Sequence, residues 1–256
     1  MKGFVEDGKI AKAWKNGIGL VSVMTANNEI GTRNNIANLA RYAHKKRALF
    51  HTDTVQAVGH VLVDVRAWDV DFLSASAHKF NGPKGIGFLF IRKGLKLAPL
   101  LDGGQQEGGI RAGTENVASV VGMATALKWN CDNMERHSRH LMKLTSELRH
   151  RIAGFYPKAV FLGSDSGDQL PGFTSVAFPG HSAEGLLHLL DLKGIAVSSG
   201  AACDSRNTQV SHVLKAIRVA QSVARSAIRI SLGAENTDAD VDKILAALKV
   251  TLSCQG

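Results

Sequence analysis

Hydrophobic and polar positions follow two rhythms between residues 20 and 91. Short apolar runs at 20–24, 48–51, 72–74 and 88–91 have the length of buried strands, and after the first of them Ile36, Leu39, Ala40 and Ala43 recur at helical spacing. Strands alternating with helices predict an α/β fold on a mostly parallel sheet. The first three runs each end in polar residues: Asn27, Asn28 and Glu29; then His51, Thr52 and Asp53; then the stretch from Ser74 to Lys79. Open parallel sheets take their ligands at such strand ends, so three clusters predict one site. The run 20–24 has the composition of a central strand although little precedes it, and a four-stranded sheet starting there leaves an edge open.

The rhythm changes after residue 115. Helix breakers are scarce from 115 to about 152, and Leu141, Leu144, Leu148 and Ile152 share one face, which predicts a long helix linking two domains. Strand-like runs follow at 159–162 and 174–178. A helix over 182–192 is stopped by Gly194, and a last helix starts at Thr237. There Thr237 and Asp240 fit a capping box, and Val241, Ile244, Leu245 and Leu248 make the buried stripe. The expected division is a larger domain over 1–130 and a smaller α+β domain over 131–256.

Composition narrows the class. The 256 residues are 45% hydrophobic and 21% charged, which excludes a disordered or collagen-like chain and allows one large or two small domains. No apolar run approaches the roughly 18 residues of a membrane span, and Glu6 and Asp7 stand where a signal peptide is apolar, so a cytoplasmic protein is expected. The three cysteines, Cys131, Cys203 and Cys254, lack metal-ligand spacing and leave one over after pairing, so neither zinc nor a disulfide framework is predicted. Cys131 and Cys254 read as small buried hydrophobes. The net charge of +9 would suit an acidic partner, but the basic residues are dispersed without interleaved aromatics. They read as solvated faces, not as a nucleic-acid surface.

Chemistry concentrates at residues 74–85, where Lys79 follows a strand, is flanked by small hydroxyl residues and precedes a glycine-rich turn. Alone, His78 and Lys79 are ordinary loop residues. Asp53 changes that reading, because a carboxylate 26 positions upstream, ending the preceding strand, can pair with a protonated pyridine nitrogen beside a Schiff-base lysine. Cys203 lies in a run of small residues with Arg206 close by in sequence, the setting of an exposed thiol whose thiolate is favoured. Arg229 alternates with Ile228, Ile230 and Leu232 and so faces away from them.

Six motifs in order carry a family resemblance over about 5–249: VSVMTANNEIG at 21–31, HTDTVQ at 51–56, SAHK at 76–79, RAGTEN at 111–116, SSGAAC at 198–203 and IRISLG at 228–233. Together they resemble the cysteine desulfurases of the NifS/IscS type, which are class V, fold-type I pyridoxal 5'-phosphate enzymes. The resemblance implies a partial fold-type I large domain with a smaller α+β domain. It makes Lys79 the lysine that binds the cofactor, Asp53 the partner of its ring nitrogen, and Gln56 the ligand of its phenolic oxygen. Asn28 also falls in the cofactor set. Ser76 and His78 resemble phosphate ligands, and Thr114 resembles the threonine that reaches the phosphate of a neighbouring subunit, so a homodimer is implied. Arg229, with Asn28, would hold the carboxylate of L-cysteine. Cys203 would take the sulfur as a persulfide, leaving alanine, and pass it to an acceptor protein such as an iron–sulfur scaffold or a tRNA-thiolation protein.

The chain also departs from that pattern. Relative to the family, a segment upstream of Leu20 is missing, with the rest of the sheet, a phosphate-binding turn and a ring-stacking histidine, so the chain reads as N-terminally truncated. Gly108 replaces an arginine common in the family, and Thr25 stands where some members carry a histidine. Alternatives to an active desulfurase are an inactive remnant, one half of a split enzyme, a selenocysteine lyase or another class V aminotransferase.

Overall fold

The computed structural model describes residues 2–164, 167–200 and 211–254. Cys203 and the rest of 201–210 lie outside the described residues, as does the side chain of Cys254. The element order is α1 (Asp7–Ala13), β1 (Leu20–Ser22), α2 (Ile36–Lys45), β2 (Leu49–Asp53), β3 (Phe72–Ser76), β4 (Gly87–Ile91) and α3 (Val117–Phe155), followed by β5 (Val160–Leu162), β6 (Phe173–Ala177), α4 (Ala183–Asp191), α5 (His212–Ala216), α6 (Gln221–Ala224), β7 (Ala227–Ser231) and α7 (Asp238–Cys254). No helix among the described residues is long and apolar enough to cross a membrane. The fold is α/β.

The chain divides into two compact units. One comprises Glu6–Thr25 and Asn35–Met134 and holds a sheet of order β1-β2-β3-β4, in which β1, β2 and β3 are parallel and β4 is antiparallel. Alternation in β2 buries Phe50 and Thr52 and turns Leu49, His51 and Asp53 to the other face. Val58, Leu73, Ala75, Ala77 and Phe80 form its core, with Met123, Ala126 and Leu127 of α3 packed against them. β1 is an edge strand among the described residues, and Leu20 is 52% exposed there. The central position that the composition of 20–24 suggests is therefore not the observed one: no described strand pairs with its outer side.

The other unit comprises residues up to Val5, Ala26–Asn34 and the chain from Glu135 onward, and holds the antiparallel sheet β5-β6-β7. Every residue of the central strand β6 is buried. Leu141, Leu144, Leu148 and Ile152 of α3 meet Leu186 and Leu190 of α4 and Val241, Leu245 and Leu248 of α7 over Val176, Ile228 and Ile230. Helical spacing places each apolar set on one face, and the sheet supplies the surface that buries it. The predicted ends hold as well. Thr237 and Asp240 exchange bonds at the start of α7, with the Thr237 amide donating to Asp240 Oδ2 at 2.9 Å. Gly194, at φ +73, follows α4 and donates to Asp191 O at 2.8 Å.

The segment Ala26–Asn34 belongs to the three-stranded unit. Ile30 is buried there beside Leu162, Ala177 and Leu214, and Leu170 N–H donates to Gly31 O at 2.9 Å. Gly31 adopts φ +70, and a Cβ at that position would lie 2.6 Å from both Gln169 and Phe173. A side chain there would break the contact that carries the segment into this unit.

Candidate active site

Asp53 ends β2 and is in register with Ser74 of β3. Its Oδ1 accepts the Val55 N–H at 2.8 Å, which fixes the carboxylate at the strand end. Beside it the Thr54 hydroxyl donates to Ser74 O at 2.8 Å and ties the β2 exit to β3. Gln56 is half-buried two residues beyond Thr54, and its side chain has no hydrogen bond among the described residues.

β3 runs directly into a 3₁₀ turn, Ala77–Phe80, that carries His78 and Lys79. Ala77 and Phe80 are the buried anchors of this turn, so His78 and Lys79 point away from the core. Asn81 closes it in the left-handed conformation, and Gly82 N–H returns to Ala77 O at 2.9 Å. A Cβ on Gly82 would lie 2.9 Å from that of Ala77, so the tight return needs glycine. Ser76 Oγ and His78 Nδ1 are 2.9 Å apart, which presents a hydroxyl and an imidazole together beside Lys79. Lys79 is half-buried, and its ammonium makes no ion pair among the described residues. An amine with no partner among the described residues, a strand-end carboxylate and two anion-compatible donors are the set that a phosphorylated pyridine aldehyde requires, so these residues fit such a cofactor.

Sequence reasoning missed the supports of this turn. His60 Nε2 lies 2.7 Å from Lys79 O, and Asn130 Nδ2 of α3 donates to Phe80 O at 2.8 Å. Nor did it find a polar row across the sheet. Ser22 Oγ meets His51 Nδ1 at 2.8 Å, and His51 Nε2 meets Ser74 Oγ at 3.2 Å. Burial pushes His51 below its ordinary value, with the Asp53 charge opposing. The row was detectable only as side-chain alternation, because Ser22, His51 and Ser74 face the same way once the register is known.

The remaining predicted residues lie elsewhere. Asn28 and Arg229 are in the three-stranded unit, where Arg229 Nη1 donates to Asn28 O at 2.6 Å and Nη2 to Ser198 Oγ at 3.3 Å. The guanidinium also stands 5.6 Å from the ring centroid of Phe173. Among the three polar strand ends, those at Asp53 and at Ser74 to Lys79 thus share a unit, whereas the turn at Asn27 to Glu29 packs with the other. Thr114 is exposed in the loop before α3. Gly108 has φ +65 and nothing within 4 Å of the place its Cβ would occupy. Thr25 is 3% exposed and bonds Thr52 Oγ1 at 2.7 Å, so its hydroxyl is used inside the fold. Cys131 is exposed, not buried as expected, because its position on α3 falls outside the apolar stripe.

Comparison with known proteins decides the family. The model of the family described as aminotransferase class-V matches residues 2–244. The chain belongs to the aminotransferase class V family. It is 42% identical over 248 residues to the cysteine desulfurase IscS of Clostridium botulinum strain Hall, a match covering 96% of this chain and 62% of that protein. Among solved structures, a NifS-like protein superposes with a TM-score of 0.90 at 36% identity, covering 99% of this chain and 66% of the other. A NifS-like protein from Rickettsia africae gives a TM-score of 0.89 at 31% identity, covering 98% and 67%. The chain thus spans about three fifths of the length of the curated relatives it matches. As a class V family member with these structural neighbours, it has a partial fold-type I architecture.

Proposed function

We propose that this chain carries the chemistry of a pyridoxal 5'-phosphate-dependent cysteine desulfurase that converts L-cysteine to L-alanine and transfers the sulfur. The observation that carries this reading is the half-buried Lys79, without an ion-pair partner among the described residues, one short turn past β3 and beside the strand that ends in Asp53. Similarity to proteins named cysteine desulfurase supports the substrate.

Lys79 would hold the cofactor covalently. Asp53 would keep the ring nitrogen protonated, Gln56 and Asn28 would bind its polar edge, and Ser76 and His78 would donate to its phosphate, with Thr114 serving a second subunit of a homodimer. Bound there, the cofactor supplies an electron sink for the pair left at the substrate α-carbon. The Lys79 amine, when not bonded to the cofactor, would take and return the proton at the substrate α-carbon. Arg229, with its planar fork, takes the substrate carboxylate and fixes which α-carbon bond faces the base. The thiolate of Cys203, which lies outside the described residues, attacks the substrate sulfur. The new S–S bond leaves a persulfide on Cys203, the C–S bond breaks, and protonation of the carbon gives alanine. An acceptor protein, an iron–sulfur scaffold or a tRNA-thiolation protein, takes the sulfur in the cytoplasm. Lys79, Asp53, Gln56, Ser76 and His78 come from the four-stranded unit, and Asn28 and Arg229 from the three-stranded one.

Incubation of the purified chain with pyridoxal phosphate and L-cysteine tests the reading. Alanine should appear with a Cys203 persulfide, detectable by mass spectrometry, and Cys203→Ser should abolish both. Persulfide on Cys131 alone, or alanine formation indifferent to Cys203→Ser, would contradict it.

A further inference from the structure

We infer that Glu29 is a positioning residue that holds together the two flanks of residues 201–210, the segment in which Cys203 lies. Glu29 is 3% exposed, and a buried carboxylate costs free energy unless it is hydrogen-bonded. Its described partner is Ser211, whose hydroxyl donates to Glu29 Oε2 at 2.5 Å across 182 positions of sequence. The other flank abuts the same oxygen: a Cβ on Gly200 would lie 3.6 Å from Glu29 Oε2 and 3.8 Å from Ser211 Cβ. Gly200 and Ser211 therefore meet in one place, beside the Glu29 carboxylate.

Each flank is also tied inward. Ser211 Oγ accepts the amides of Val213 at 3.1 Å and Leu214 at 3.3 Å, so the hydroxyl that donates to Glu29 also caps α5, and Leu214 anchors that helix in the core. On the opposite flank, Ser198 pairs with Arg229 through the main chain in both directions, and Arg229 Nη1 reaches Asn28 O. The turn at Asn27 to Glu29 is itself rigid, because Asn27 Oδ1 accepts the amides of Glu29 at 2.9 Å and Ile30 at 3.1 Å. One turn thus grips both flanks, through Glu29 on Ser211 and through Asn28 on the arginine that pairs with Ser198. The consequence for sulfur transfer rests on Cys203 being the acceptor thiol, as proposed above; the clasp itself does not.

Peptide-resolved hydrogen exchange on the purified chain, without cofactor or L-cysteine, tests the clasp. Glu29→Ala should speed exchange of the Val213 and Leu214 amides, and of the peptide ending at Gly200, by about tenfold or more, while β6 stays as protected as before. Glu29→Gln keeps an acceptor oxygen and should restore most of the protection. Ser211→Asp retains a helix cap but sets a second carboxylate against Glu29, and should loosen the Gly200 flank without unfolding α5. If Glu29→Ala leaves both flanks unchanged, or if both variants loosen β6 equally with the flanks, the inference fails. With pyridoxal phosphate and L-cysteine added, Glu29→Ala should keep the cofactor's absorbance response and lose Cys203 persulfide. A wild-type chain showing neither would overturn the desulfurase reading and leave the exchange result standing.

Discussion

His60 donates through Nε2 to the main-chain carbonyl of Lys79 at 2.7 Å, so the turn bearing the candidate cofactor lysine is held from a neighbouring segment. A carbonyl only accepts, so Nε2 carries the proton. Gly59 lets the two segments approach, since a Cβ there would lie 2.8 Å from that of Phe80. Removal of this bond by His60→Ala should weaken pyridoxal phosphate binding about tenfold, and His60→Gln should recover part of it. An absorbance titration reads the affinity; equal affinities for wild type and His60→Ala would show that the turn holds itself.

His51 makes stability depend on pH. Burial lowers its pKa from 6.5, so the folded chain binds that proton less tightly than the unfolded chain. Its contribution is complete above 6.5 and is lost as the pH falls through that value towards the lower folded one. Urea midpoints measured between about pH 7.5 and 5.5 should fall for wild type and fall less for His51→Asn. Parallel curves would assign the acid sensitivity to other groups.

Asp71 anchors the far end of the same sheet. It is 4% exposed; its Oδ2 accepts from Phe50 N–H at 2.7 Å and meets His44 Nε2 at 2.8 Å, and its Oδ1 lies 3.1 Å from Arg92 Nε. Arg92 also pairs with Asp69 and holds that carboxyl below its ordinary range. Asp71→Ala strands a buried amide and removes the carboxylate between two basic side chains, which should cost roughly 3–5 kcal/mol in urea unfolding. A loss below about 1 kcal/mol would mean that the cluster behaves like an exposed pair.

Arg229 offers a planar fork that lysine cannot copy. Arg229→Lys should raise the L-cysteine concentration needed for turnover by about tenfold or more, with pyridoxal phosphate binding in the absence of substrate unchanged. An unchanged requirement for L-cysteine would remove Arg229 from the substrate site.

Local signals were legible wherever neighbours in sequence are neighbours in space. The capping box of Thr237 and Asp240, the stop at Gly194 and the stripe from Leu141 to Ile152 involve residues three or four apart, and the structure has them as read. Asp53 ends β2 and Lys79 follows β3, the strand-end positions at which their polar clusters were read. Long-range pairing was not legible. Nothing local assigns the turn at Asn27 to Glu29 to the three-stranded unit, because Ile30 is buried by Leu162, Ala177 and Leu214, all distant in sequence. His60, Asn130 and Asp71 act through main-chain carbonyls and amides of other segments, which leave no periodicity to read.

The central claim is that Lys79 and Asp53 hold pyridoxal phosphate for chemistry on L-cysteine. Absorbance spectra of the purified chain with added pyridoxal phosphate, before and after L-cysteine, test it most directly, with Lys79→Ala beside it. The account predicts a yellow protein-bound band that requires Lys79 and shifts when L-cysteine is added. The same band in Lys79→Ala, or no bound cofactor in the wild-type chain, would contradict it.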